Sequence, residues 1–274
     1  MLRGLALLSL GLTGCSTGPC NGSDALCDLP LDLVTFPGAH NAMSSTDDGF
    51  ALANQDHGPA QQLDDGVRAM LLDSYDENGV DVLCHQFCTL GELKLADVLG
   101  DLKSFLDANQ GEVVILIFQD NLSIERTMAA FDAAGLTDRL ITPPAAGEAW
   151  PTLGKLVRTH RQILLARESE DDGPAEYAPF YDMGWDTPYS FGSADDFSCD
   201  LLRGEQTHPL FLINHWLSTP LPTRTGAQQV NTAEVLQGRV DDCLASAGRK
   251  PNLIAVDFYS EGDLFDVVNG LNAP

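Results

Sequence analysis

At 274 residues and 44% hydrophobic content, the chain is long and apolar enough to bury a full core, which excludes a disordered protein. Forty acidic residues against 15 basic ones give a formal net charge of −25, which speaks against nucleic acid as a partner and against an electrostatic grip on anionic lipid.

The chain opens on MLRGLALLSLGLTGC: one Arg, an apolar run, then small residues before Cys15. This is the pattern of an export signal over residues 1–14, too short to span a bilayer. "LTGC" resembles the lipobox of bacterial lipoproteins, so Cys15 is expected to carry a lipid that anchors the mature chain to a membrane, in the periplasm or at the cell surface. A plainly cleaved signal and a secreted chain is the alternative.

Six cysteines remain, at 20, 27, 84, 88, 199 and 243. An even number in an exported chain suggests three disulfides, and of the fifteen possible pairings the close spacings favour Cys20 with Cys27 and Cys84 with Cys88, leaving Cys199 for Cys243. A zinc site is the rival reading, weakened by the lack of any CxxC pair. Residues 15–28 read as a short Cys-containing segment and 29–274 as a single domain.

Along that domain, apolar runs recur at 33–36, 69–73, 80–84, 113–119, 162–166, 210–214 and 252–259. They are continuous rather than alternating, as strands buried on both faces are. Between them lie helical spacings, with Leu95, Val98, Leu99, Leu102, Phe105 and Leu106 on one face before Asn109, and Val235, Leu236, Val240, Cys243 and Leu244 on another before Gly248. Strands alternating with helices predict an α/β fold of the (β/α) TIM barrel type, with a doubly wound open sheet as the alternative. Residues 168–209, rich in Gly, Pro, Asp and aromatics, read as a long excursion that lines a cleft.

A parallel barrel carries its functional groups where strands end. The first run is followed by His40 and Asn41, the second ends at Asp73 with Tyr75 and Asp76 beyond it, the third at His85, and the fourth at Gln119 and Asp120. The fifth is followed by Arg167 and Glu168, the sixth by Asn214, His215 and Trp216, and the last carries Asp257 and Tyr259. Two histidines brought to one rim beside carboxylates suit general acid and base work. Alone, His40 would read equally well as an ordinary turn histidine, while His57 and His160 read as solvated.

The stretches "GAHNAM", "NQ" at 54–55, "QQLDDGVRAMLLDSYDENGVDVLCH", "FLDANQGEVVILIFQD" and "PNLIAVDFY" resemble the X-domain family of phosphatidylinositol-specific phospholipases C, most closely the single-domain members of plants and fungi. The resemblance runs in order over about residues 29–270. It implies a distorted TIM barrel and a phosphoric diester hydrolase acting on a phospholipid or another phosphodiester. In that scheme His40 is the base that activates the attacking hydroxyl, His85 the acid that protonates the leaving alcohol, and Asp257 the carboxylate that orients His40. Asp73 matches the aspartate of the second strand, and the product is a cyclic phosphate.

The sequence departs from the family at its cation. Metal-independent bacterial members carry an Arg where this chain has Tyr75, and calcium-dependent members carry acidic ligands where it has Leu71 and Gln119. Asn41 and Asp73 do match the calcium pattern, so Ca²⁺ held by them with Asp76 or Asp120 is one expectation, and Arg167 serving the phosphate is the other. Asn214, His215 and Tyr259 are expected to touch substrate, and a monomer is expected. A surface binding module without activity, or a glycerophosphodiesterase-like enzyme, would occupy the same barrel.

Overall fold

The computed structural model describes residues 18–218 and 221–274; the expected export signal over residues 1–14 and the expected lipid site Cys15 lie outside the described residues. Eleven strands follow the chain as β1 Phe36–Ala39, β2 Ala69–Glu77, β3 Val80–Leu83, β4 Leu93–Lys94, β5 Val114–Asp120, β6 Ile163–Arg167, β7 Tyr177–Pro179, β8 Gly184–Asp186, β9 Arg203–Gly204, β10 Leu210–His215 and β11 Leu253–Val256. The α-helices are α1 Pro59–Asp65, α2 Leu95–Ala108, α3 Ile124–Ala133, α4 Leu153–Arg158, α5 Arg224–Val230, α6 Ala233–Ala247 and α7 Leu264–Asn272.

Eight strands, in the order β7-β6-β5-β2-β1-β11-β10-β8, form a curled sheet in which every neighbour is parallel. That is the chain order of a (β/α) barrel. Among the described residues β7 and β8 do not pair, so the curl keeps a seam there, and only the short turn Phe180–Asp182 joins those two strands. The fold is thus a distorted barrel of the expected type.

Two expectations need correction. The run at 80–84 is no barrel strand: β3 folds back antiparallel on β2, pairing Ser74 with Leu83 and Glu77 with Val80. Conversely, β7 and β8 come from within the excursion that reads as irregular in the sequence. Their three-residue spans around Pro179, Gly184 and Trp185 contain no apolar run to betray them.

Strand alternation explains the two-layered core. Ile115, Ile117, Leu164, Ala166, Leu212, Leu253 and Ala255 point into the barrel, while Leu116, Phe118, Leu165, Ile213, Ile254 and Val256 point out to the helices. Leu95, Leu99, Leu102, Phe105 and Leu106 of α2 cover that outer face, each fully buried Leu removing apolar surface worth roughly 2 kcal/mol. On α6, Leu236, Val240 and Cys243 are buried as the spacing predicts, but Leu244 is exposed and Arg239 takes its place inside. Disulfides join Cys20 to Cys27, Cys84 to Cys88 and Cys199 to Cys243. Among the described residues no helix is long and apolar enough to cross a membrane.

Candidate active site

The site begins with a glycine. A Cβ on Gly38 would lie 2.9 Å from the Ile254 carbonyl oxygen, so only glycine lets β1 approach β11 this closely. The pairing sets Gly38 against Ala255 and carries on to a His40 N–H bond to Val256 O at 2.9 Å. Two residues further on, Asp257 meets His40: its Oδ1 accepts from His40 Nδ1 at 2.8 Å and from Asn54 Nδ2 at 3.0 Å. Gln55 Nε2 donates to the carbonyls of His40 (2.7 Å) and Val256 (3.0 Å), so the short NQ motif pins both strand ends. Trp216, just past β10, stacks on the His40 ring with centroids 3.7 Å apart and planes 5° from parallel. With Nδ1 committed to Asp257, the lone pair of Nε2 is the proton acceptor the ring has left.

At the end of β2, Asp73 is almost fully buried. Burial pushes its carboxyl up to about 7; His40 pulls against that, and Glu168 adds to it. His85 follows directly on Cys84, whose N–H binds Asp73 O at 3.2 Å, and the Cys84–Cys88 bridge closes the turn around it. Burial holds the His85 imidazole below its ordinary range, and the charge of His40 adds to that effect while Asp257 opposes it.

The far wall comes from the excursion. Arg203 of β9 pairs with Asp186 of β8, donating from Nε (3.1 Å), Nη2 (2.5 Å) and its backbone N–H (3.1 Å), and its Nη1 lies 3.1 Å from Glu168. Burial also raises the Glu168 carboxyl, with Arg203 opposing. His40, Asn41, Asp73, His85, Glu168 and Arg203 share one cleft of about 230 Å³, with Trp216 and Tyr189 in its wall.

The other expected residues lie outside this cleft's lining. Arg167 turns outward, over the Tyr177 ring at 5.4 Å and donating to the Asp171 carbonyl. Asn214 is buried and spends its amide on Asp186 (3.1 Å) and Thr187 O (2.6 Å). His215 is wholly buried, bonds Val230 O through Nε2 at 2.8 Å, and is pushed down to about 3 by burial. Tyr259 donates to Asp65 at 2.6 Å. In place of Arg167 and His215 the structure offers Glu168, Trp216 and Arg203. The first two each follow a misassigned residue by one position, as strand alternation requires, since 164, 166 and 168 share a face.

The calcium expectation fits poorly. Asp76 is taken by Arg126 at 2.5 Å, and Asp120 accepts from the Ser169 N–H (3.0 Å) and hydroxyl (2.5 Å). That leaves Asn41 and Asp73 where Ca²⁺ takes six to eight oxygens. Among the described residues no group of three or more His, Cys, Asp or Glu is placed to hold a metal.

The raised Asp73 carboxyl has a measurable consequence. Because its folded value of about 7 lies above its ordinary 3.8, the contribution of Asp73 to folding stability is fully present below pH 4 and is lost as pH rises through 7, when a buried carboxyl must ionise. Asp73→Asn is therefore expected to unfold at higher urea than the wild type at pH 8, by on the order of 2–4 kcal/mol, with the difference closing at pH 4. Equal differences at the two pH values would remove buried ionisation as the cause.

Four matches to known proteins bear on the fold and the family. A protein named PI-PLC X domain-containing protein 1, from the fungus Arthroderma benhamiae, is 31% identical over 92% of this chain and 89% of its own. The PI-PLC X domain-containing protein At5g67130 of Arabidopsis thaliana is 26% identical over 95% of this chain and 67% of its own. A solved variant of the phosphatidylinositol-specific phospholipase C of Staphylococcus aureus is 14% identical over 90% of this chain and 94% of that one, with a TM-score of 0.57, which bears on the fold alone. The model of the PI-PLC X family, described as PI-PLC X 1, matches residues 26–272, and the chain belongs to that family.

Proposed function

We propose that this chain is an exported phosphoric diester hydrolase of the phospholipase C type. The observation that carries the reading is the 2.8 Å bond from His40 Nδ1 to Asp257, made in the same cleft that His85 lines. His40 Nε2 takes the proton of a substrate hydroxyl as its oxygen bonds to phosphorus, and His85 in its protonated form delivers a proton to the leaving oxygen as that P–O bond breaks. The products are an alcohol and a cyclic phosphate, which water opens with the two roles exchanged. Asp257 holds the tautomer of His40, and Trp216 fixes its plane. Asp73, protonated below about pH 7, presents a hydrogen-bond donor to the phosphate rather than a second negative charge.

Residues 1–14 as export signal, Cys15 as lipid attachment and 29–274 as the catalytic barrel belong to the same reading. The three disulfides fit an oxidising compartment.

The test is hydrolysis of phosphatidylinositol and of a water-soluble inositol phosphodiester by the mature protein, with calcium and with excess EDTA. His40→Ala and His85→Ala are each expected to lose at least a thousandfold in kcat under both conditions, with unfolding midpoints close to wild type. Turnover that survives either change sinks the mechanism. Absence of turnover on any phosphodiester, with saturable ligand binding that outlasts loss of His40, supports the binding module instead.

A further inference from the structure

The reading above lacks one component. Moving a proton on either side of a phosphodiester leaves its non-bridging oxygens to be met by positive charge, and that interaction is a large part of the rate. The family's second-strand position holds Tyr75, Arg167 points away from the cleft, and the calcium donor set is incomplete. Among the described residues the only Lys or Arg lining the cleft is Arg203.

Arg203 is built into place. Its strand is two residues long and held against β8 by Gly204, where φ is +80° and a Cβ would lie 2.1 Å from the Gly184 carbonyl oxygen. No other residue allows this approach. Behind the guanidinium, Asp186 is wholly buried and receives Nε and Nη2 of Arg203 while Asn214 Nδ2 and the Tyr181 hydroxyl donate to the same carboxylate, at 3.1 and 3.2 Å. The Tyr181 and Tyr189 rings flank the cation at 4.6 and 5.2 Å. Two of the five donors of the guanidinium, and with them its orientation, are thus fixed by Asp186, and Nη1 remains, meeting Glu168 at 3.1 Å. Asn41 Nδ2, buried and without a hydrogen-bond partner, is a second donor in the same lining.

We propose that Arg203 is the phosphate-binding cation of this site, and that a non-bridging phosphate oxygen displaces the Glu168 carboxylate from Nη1. Glu168 occupies the position an anion would take at Nη1 and holds the guanidinium toward the cleft. Asp186 is then a positioning residue, since it acts on the phosphate only through Arg203. The inference rests on the phosphodiesterase reading but is tested apart from turnover.

The probe is inorganic phosphate, titrated by calorimetry into the mature wild-type protein and into Arg203→Gln, Arg203→Lys and Glu168→Gln, each checked for folding by near-ultraviolet circular dichroism. Arg203→Gln is expected to weaken phosphate binding at least tenfold, since a charge-assisted hydrogen bond in a half-buried site is worth that much. Arg203→Lys should recover part of it, and Glu168→Gln should tighten binding severalfold by removing the competing carboxylate. Should Arg203→Gln fail to fold, the order Glu168→Gln tighter than wild type, and wild type tighter than Arg203→Lys, carries the test. Equal affinity in wild type and Arg203→Gln, or weaker binding in Glu168→Gln, overturns the assignment. Arg203-dependent phosphate binding without phosphodiesterase turnover retires the enzyme reading and keeps the anion site; turnover with Arg203-independent binding does the reverse.

Discussion

Asp257→Asn is expected to lower kcat by two to four orders of magnitude while leaving the barrel folded. The carboxylate accepts two hydrogen bonds through one oxygen, from His40 Nδ1 and from Asn54 Nδ2. An amide that keeps its carbonyl oxygen toward both donors, with its NH₂ at the unpartnered Oδ2 position, has no charge to stabilise the imidazolium formed when His40 takes the proton. If the amide turns its nitrogen to His40, the ring is driven to carry its proton on Nε2, where the proposed chemistry needs a lone pair. The same exchange behind other catalytic histidines costs as much as 10⁴ through the wrong tautomer. Stability should change far less, because the substitution removes a buried charge and Oδ2 has no partner to lose. The measurement is kcat on a water-soluble inositol phosphodiester beside a urea unfolding curve. A loss below tenfold would show that Trp216 and the strand ends alone orient His40.

Asp186→Ala carries the largest expected loss of stability. Asp186 is wholly buried and is the common acceptor for Arg203, Asn214 and Tyr181. Truncating it leaves a guanidinium and a buried amide without their partner, and breaking such a pair from one side costs about 3–5 kcal/mol. Arg203 is about one third exposed, so the lower end of that range is the expectation. In a chain of this size that corresponds to a fall in Tm of roughly 10 °C. Asp186→Asn, which keeps an acceptor, should lose about half as much. A drop under 1 kcal/mol for the alanine variant would mean that solvent or Glu168 takes over the cation.

Much of the barrel was legible because its strands are hydrophobic on both sides, and a run such as VVILIFQ has few other uses in an α/β chain. The hairpin strand at 80–83 deceived because "VDVL" is apolar enough to match the runs, although its outer end, Val80 and Asp81, is left to solvent. β7 and β8 were invisible for the opposite reason. Each owes its place to backbone pairing with a long neighbour, and three residues carry no period.

At the site, His40, Asp73, His85 and Asp257 were found through family motifs, and the structure gathers them in or against one cleft. Their chemical roles rest on the proposal above. Arg167 and Glu168 are adjacent, as are His215 and Trp216, and only the face of the strand decides which member enters the barrel. The face could have been read from the pattern, because Asp73, Gln119 and Glu168 all continue the inward set of Leu71, Ile117 and Ala166. Arg203 carried no such signal. It reaches the cleft through a turn of the excursion that depends on Gly204 and on a buried partner 17 residues earlier in the chain.

The bridge from Cys199 to Cys243 ties that excursion to α6 across 44 residues of sequence. Closing a loop of that length removes chain entropy equivalent to about 4 kcal/mol from the unfolded state in the simplest treatment. The strands bearing the two histidines lie outside the loop, whereas Arg203 lies inside it, four residues from one sulfur. Each half of the cleft thus has its own bridge, Cys84–Cys88 around His85 and Cys199–Cys243 on the segment that carries Arg203. Reduction would loosen both of those segments, while the β1 end and the His40–Asp257 bond have no bridge to lose.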